Sequence, residues 1–370
     1  LINTFLIPHL KDNDMIFNLN NNDINKLNKL FEIHEFNEAI DNMYLEFLFY
    51  GAKKINKEMI DKNGFLNSFM KLMDIEKNDT DFLSLCKDFE IDKISKSPAK
   101  PYLNNNFTKN IKIRDVNKYS YKLTNETINA YEPIIYKDIK VEGEFYREIP
   151  ELTYLDEAYT YPSIKYKNTT WMSLIPHEIN TMQESIDEAK GDVLVYGLGL
   201  GYYSYMVSNK KEVSHVTIVE IDNRIIELFK ENILPQFPNK DKITILEADA
   251  FKFTNNNTTH YDYAFFDLYH DADDGLELYV KMKKLENKFI DKYSYWIETT
   301  LLASFRRSLI NLINEEFNHE NNVDYTLEDG FNDHVINSLH NLLQNTKFNS
   351  YNDIYNLLSD KSLIQLISNI

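Results

Sequence analysis

Apolar positions recur at helical spacing through residues 20–95, as in Ile24, Leu27, Leu30 and Phe31 and then Phe36, Ile40, Met43 and Phe47. This pattern predicts three or four packed helices. It stops at Ser97-Pro98-Ala99-Lys100-Pro101, where two prolines ahead of the Asn104–Asn106 run predict an extended linker. From Tyr131 to Met172 the period shortens to β-type runs, including 132–139 and 163–166, separated by turn residues. Beyond Gly191, apolar runs at 192–196, 215–220, 243–247, 263–266 and 295–299 alternate with helical stretches, the arrangement of βαβ units on a parallel sheet. Residues 301–316 and 331–369 read as helices, and Val323 to Leu327 is the one β-type candidate after Thr300.

The organisation that follows is a helical N-terminal domain over 1–100, a linker and small β-rich module over 101–170, an α/β nucleotide-binding domain over 171–305 and C-terminal helices over 306–370. Composition narrows the function classes. A formal charge of -18 repels phosphate backbones and anionic lipid headgroups, so neither nucleic acid nor membrane is an expected partner. The single cysteine, Cys86, rules out an intrachain disulfide and a cysteine-based zinc site. No run is long and apolar enough for a transmembrane helix and no signal-peptide core is visible, which makes the cytoplasm the expected compartment. An oligomer is compatible with the sequence.

Glycine is scarce, yet Gly197, Gly199 and Gly201 of the nine fall directly after the Val193–Tyr196 run. A strand turning tightly into a helix needs residues without Cβ, both for unusual backbone angles and for close approach of a ligand. The helix expected from Tyr202 then directs its first amides at that ligand. The next strand ends at Glu220, 23 residues beyond Gly197 and near the spacing of about 20 at which an acid meets both ribose hydroxyls of a bound nucleoside. The third runs into Asp249 and Ala250, where an adenine amino group could donate, and the fourth ends at Asp267. Each acid taken singly also reads as a helix cap.

These residues resemble class I S-adenosylmethionine-dependent methyltransferases, in the branch shared with spermidine synthase-like aminopropyltransferases. The likeness covers about residues 165–300. It includes His177-Glu178 ahead of the glycine turn and an apolar Val195 where many methyltransferases carry an acid. The resemblance implies a Rossmann-like doubly wound sheet and makes Gly197, Gly199, Gly201, Glu220, Asp249, Ala250 and Asp267 contacts of S-adenosylmethionine. The chain departs from aminopropyltransferases after the fourth strand. It reads Asp267-Leu268-Tyr269-His270-Asp271, with no Asp-Ser-Thr/Ser-Asp-Pro type segment. With so little β-type sequence after Thr300, a shortened sheet is expected.

The acids that follow Asp267 invite a calcium-loop reading, but Gly275 comes one place too early and no glutamate stands at the required distance, so no metal is expected. They suit a cationic acceptor instead. In this reading Asp267, Tyr269 and His177 are the candidate catalytic groups, while Asp271 and Glu178 hold a small acceptor. A cap of the following helix at Asp273 or Asp274 is the plainer alternative. Trp171 and Met172 read as core rather than as a lid. The leading function is methyl transfer. Aminopropyl transfer from decarboxylated S-adenosylmethionine and a non-catalytic adenosyl-ligand-binding protein are the alternatives.

Overall fold

A computed structural model describes residues 15–318 and 331–370. The Val323–Leu327 candidate lies outside the described residues. The chain divides into two compact units that follow contacts rather than the sequence segments above: residues 39–141 with 148–301, and residues 1–38, 142–147 and 302–370.

The larger unit takes the second half of α1 (Asn21–Tyr50), then α2 (Lys57–Leu72) and α3 (Thr80–Asp88). Their buried face is aromatic, with Phe47 and Phe69 rings 4.6 Å apart and Phe65 packed beside them. Four antiparallel strands follow, β1 (Val116–Lys118), β2 (Tyr121–Ile128), β3 (Tyr159–Tyr166) and β4 (Thr169–Ser173), in the order β4-β3-β2-β1. A register shift between Thr170 and Met172 leaves Trp171 out of the ladder. Such bulges re-aim a side chain.

Helix α4 (Pro176–Thr181) then leads to a parallel sheet built from β5 (Gly191–Tyr196), β6 (Val213–Glu220), β7 (Ile243–Glu247), β8 (Tyr263–Phe266) and β9 (Tyr293–Tyr295). Helices α5 (Tyr202–Ser208), α6 (Asn223–Asn232), α7 (Ala250–Asn256) and α8 (Ala272–Leu285) connect the strands. The order β7-β6-β5-β8-β9 reverses direction at β5, which is the Rossmann-like, doubly wound arrangement. Val193, Leu194, Ile218 and Phe266 are buried on strands covered on both faces, which is why these runs are continuously apolar. Five parallel strands make a short sheet among the described residues.

Three expectations change. The last strand is Tyr293–Tyr295, not 295–299, because Ile297 takes a left-handed φ of 45° and Glu298 opens helix α9 (Glu298–Asn318). The β-branched Thr299 and Thr300 suggest a strand, but Asp138 accepts from the Thr299 amide at 3.2 Å and from the Thr300 hydroxyl, satisfying the donors of a helix start. The expected linker at 97–101 is partly ordered. Residues Ser95–Ser97 pair with Leu152–Leu155, and Pro101 sits in the first turn of a short helix, Lys100–Leu103, where a missing N–H costs nothing. The run at 132–139 narrows to a strand at Pro133–Ile135.

The smaller unit gathers the first half of α1, α9 from Leu302 onward, and α10 (Phe331–Leu343), α11 (Tyr351–Leu357) and α12 (Asp360–Ile367). A two-residue parallel pairing joins Ile16–Phe17 to Lys347–Phe348. Buried Arg306 donates from Nε to the Leu358 carbonyl at 2.9 Å, pairs with Asp360 and lies over the Tyr146 ring. No helix among the described residues is long and apolar enough to cross a membrane.

Candidate functional site

The candidate site lies along the carboxyl ends of the parallel strands, starting with the glycine turn after β5. Gly197, Gly199 and Gly201 all have positive φ, at 91°, 54° and 75°. Their surroundings differ. A Cβ on Gly197 would fall 2.1 Å from the Asp267 carbonyl oxygen, and one on Gly201 would fall 2.3 Å from the Phe229 ring. Only at Gly199 is the space open, with the Met172 sulfur at 3.7 Å as its nearest neighbour. Gly197 and Gly201 are therefore required by packing, whereas Gly199 leaves room for an approaching ligand.

Glu220, at the end of β6, is buried and works on the turn directly. Its carboxylate accepts from the Leu198 amide at 3.1 Å and from the Asp222 amide at 2.8 Å. Burial pushes its pKa up, while those amides and that of Ile221 pull the other way. Asp222 caps α6 and chelates Arg224, whose guanidinium holds its carboxyl down to about 2. Asp249 caps α7 by accepting from the Lys252 amide at 2.9 Å, and Ala250 is buried in the first turn of that helix.

Asp267 leaves β8 beside Gly197, its amide donating to the Tyr196 carbonyl at 3.1 Å. Glu178, in the first turn of α4, interacts with it electrostatically. Loss of hydration pushes Asp267 up to about 7, and the same effect together with the Asp267 charge raises Glu178 well above the usual carboxylate range. Among the described residues no lysine or arginine pairs with either. Desolvation, together with the charge of Asp267 acting on Glu178, disfavours ionising both carboxyls at once, and a cation between them would reverse that. His177 beside them is driven down to about 4 by burial, so its imidazole is neutral near pH 7, with its ring edge to face with Trp296 at 5.8 Å.

Two candidate residues take other work. The buried Tyr269 hydroxyl donates to the Trp296 carbonyl, and burial raises it far above its ordinary pKa, so it cannot serve as a base. The Asp271 carboxylate accepts from the Asp273 and Asp274 amides as the N-cap of α8, inside a capping box closed by Asp274. The cap thus falls on Asp271 itself, through its Oδ1. Trp171 is no core residue, being 38% exposed. Its ring meets Tyr166 at 6.1 Å and His270 at 4.4 Å, while neighbouring Met172 faces Gly199.

Sequence reasoning missed this aromatic rim, because it depends on a bulge and on strands distant in sequence. It also missed the His270–Asp274 pair, whose i, i+4 spacing at a helix start was the available signal.

Residues 176–281 match the Spermine/spermidine synthase domain, a family of transferases. Among solved structures the chain is similar to a conserved hypothetical protein of Streptococcus pyogenes, at 16% identity over 27% of this chain and 62% of that one, with a TM-score of 0.23. It is similar to the 23S rRNA methyltransferase ErmE at 19% identity, over 31% of this chain and 44% of that one, with a TM-score of 0.24. Spermidine synthase from Thermotoga maritima aligns at 12% identity over 40% of this chain and 58% of that one, with a TM-score of 0.28. The chain thus spans less than two thirds of the length of each of these proteins. No curated protein matches. Through residues 176–281, at the carboxyl edge of a Rossmann-like sheet, the chain resembles the spermidine synthase-like branch of class I S-adenosylmethionine-dependent methyltransferases.

Proposed function

We propose that the protein transfers a methyl group from S-adenosylmethionine to a small cationic amine. The observation that carries this reading is the Glu178–Asp267 pair, two desolvated carboxyls without a cation beside the glycine turn. An incoming ammonium would restore their ionisation and be held by both. The open face of Gly199 fits an adenosyl group, with Glu220 at the ribose and Asp249 and Ala250 at the adenine. Bound there, the donor supplies an activated sulfonium, so the remaining task is alignment. Met172 lines the open side of Gly199, and Tyr269 fixes Trp296 through its carbonyl. The charge of -18 favours a small cation over nucleic acid or an anionic membrane.

A second reading, aminopropyl transfer from the decarboxylated donor, is favoured by the matched domain and by two interacting acids with which, among the described residues, no lysine or arginine pairs that could meet a donor carboxylate. Calorimetric titration of S-adenosylmethionine, S-adenosylhomocysteine and the decarboxylated donor, then mass analysis of products from putrescine and spermidine, separates the two. Methylated amine is the expected product. Tight binding of the decarboxylated form alone, with an aminopropylated product, would overturn methyl transfer. Binding without any product would leave a ligand-binding protein.

A further inference from the structure

We propose that His270 is the catalytic base that takes the proton from the acceptor ammonium, and that Asp274 is its positioning residue. The assignment rests on the amine-acceptor reading above. An ammonium has no lone pair and must lose a proton before its nitrogen can act as a nucleophile. The other candidates near Asp267 are engaged elsewhere. Tyr269 is buried with its hydroxyl on the Trp296 carbonyl, and His177 is packed against the Trp296 ring.

His270 differs on three counts. Its Nδ1 lies 2.7 Å from Asp274 Oδ2, and its own amide donates to Asp274 Oδ1 at 2.9 Å, so one carboxylate fixes both ring and backbone. An ionised carboxylate only accepts, so Nδ1 must carry a hydrogen, and in the neutral ring it is Nε2 that presents the lone pair. The Trp171 ring meets the imidazole at 4.4 Å, edge to face, from the bulge that adjoins Met172 and the open face of Gly199. The side chain is 40% exposed three residues past Asp267, which gives the proton a way out to water.

The step balances simply. The N–H bond of the ammonium breaks, an Nε2–H bond forms, and one positive charge moves from the amine to the imidazole, where Asp274 faces it. The charged group that meets the ring is Asp274 on its own segment, while β4 contributes the Trp171 ring.

The test joins nitrogen-labelled histidine NMR to kinetics. Wild type should show His270 as the Nδ1–H tautomer, and Asp274→Asn should move it toward Nε2–H. His270→Gln should keep its melting temperature and bind S-adenosylhomocysteine within about twofold of wild type, yet lose ~100-fold or more in kcat. Wild-type turnover retained in His270→Gln, or an Nε2–H tautomer in wild type, overturns the assignment while leaving the transferase reading intact. Failure of wild type to bind any adenosyl ligand or to modify any amine overturns both.

Discussion

The carboxylate of Glu220 accepts the amide hydrogen of Leu198 at 3.1 Å, tying the end of β6 to the middle of the glycine turn. Glu220→Ala therefore does more than remove a ribose contact. It leaves the Leu198 and Asp222 amides short of a partner, costing about 1–3 kcal/mol of stability, and lowers adenosyl-ligand affinity by about 10-fold to 150-fold. Glu220→Gln, which keeps one acceptor oxygen, should recover most of the stability and less of the affinity. Thermal denaturation and calorimetry on the two variants check both halves, and equal affinity in all three proteins would place the ribose elsewhere.

The three glycines should separate in the same assays. Gly197→Ala and Gly201→Ala drive a methyl group into a carbonyl oxygen and an aromatic ring, so both should lose stability before binding is tested. Gly199→Ala meets no close neighbour and bears mainly the cost of a left-handed backbone, about 1–2 kcal/mol. Gly199→Val should stay folded and lose the ligand-induced rise in melting temperature, because a β-branched side chain fills the open space. A normal rise in that variant would remove the turn from the ligand site.

Glu178 and Asp267 give the folded protein a pH dependence of defined sign. Carboxyls in an unfolded chain titrate near ~4, whereas burial pushes Asp267 up to about 7 and raises Glu178 well above the usual carboxylate range. Between those values the folded state holds more protons than the unfolded one, so this contribution to stability falls as pH rises. Asp267→Asn and Glu178→Gln should thus gain on wild type between pH ~4 and ~7. Denaturant melts across that range measure the difference, and a gap that narrows with rising pH would contradict the raised pKa of the two carboxyls.

Tyr269→Phe tests the reassignment of that side chain. Removing the hydroxyl leaves the buried Trp296 carbonyl without its donor, at about 1–3 kcal/mol of stability. Turnover should stay within about tenfold, or ~1.4 kcal/mol of barrier. A much larger loss with unchanged affinity would return Tyr269 to the chemistry.

The parts of the fold readable from sequence were those set by local patterning. The buried runs of β5, β6 and β8 stand out because a parallel strand covered on both faces is apolar throughout, and three glycines in five residues mark a turn that other residues resist. What was hidden depends on distant partners. Thr299 and Thr300 begin a helix only because Asp138, some 160 positions earlier, meets their donors. Trp171 reads as core until a bulge turns it outward, and Tyr269 reads as a proton acceptor until its hydroxyl finds the Trp296 carbonyl. The acids at the strand ends were visible as a set. Their division between capping, as in Asp249 and Asp271, and the desolvated pair of Glu178 and Asp267 was not.

The pairing of Ile16–Phe17 with Lys347–Phe348 sets a timetable for biosynthesis. Asn18 bonds to Asn349 across 331 positions of sequence, so the smaller unit cannot close until the last helices have left the ribosome. At ~5–20 residues per second, the first half of α1 waits on the order of 20–60 s with Leu27, Leu30 and Phe31 uncovered. A chain interrupted within α10, α11 or α12 therefore leaves the first half of α1 without the partners of its own unit.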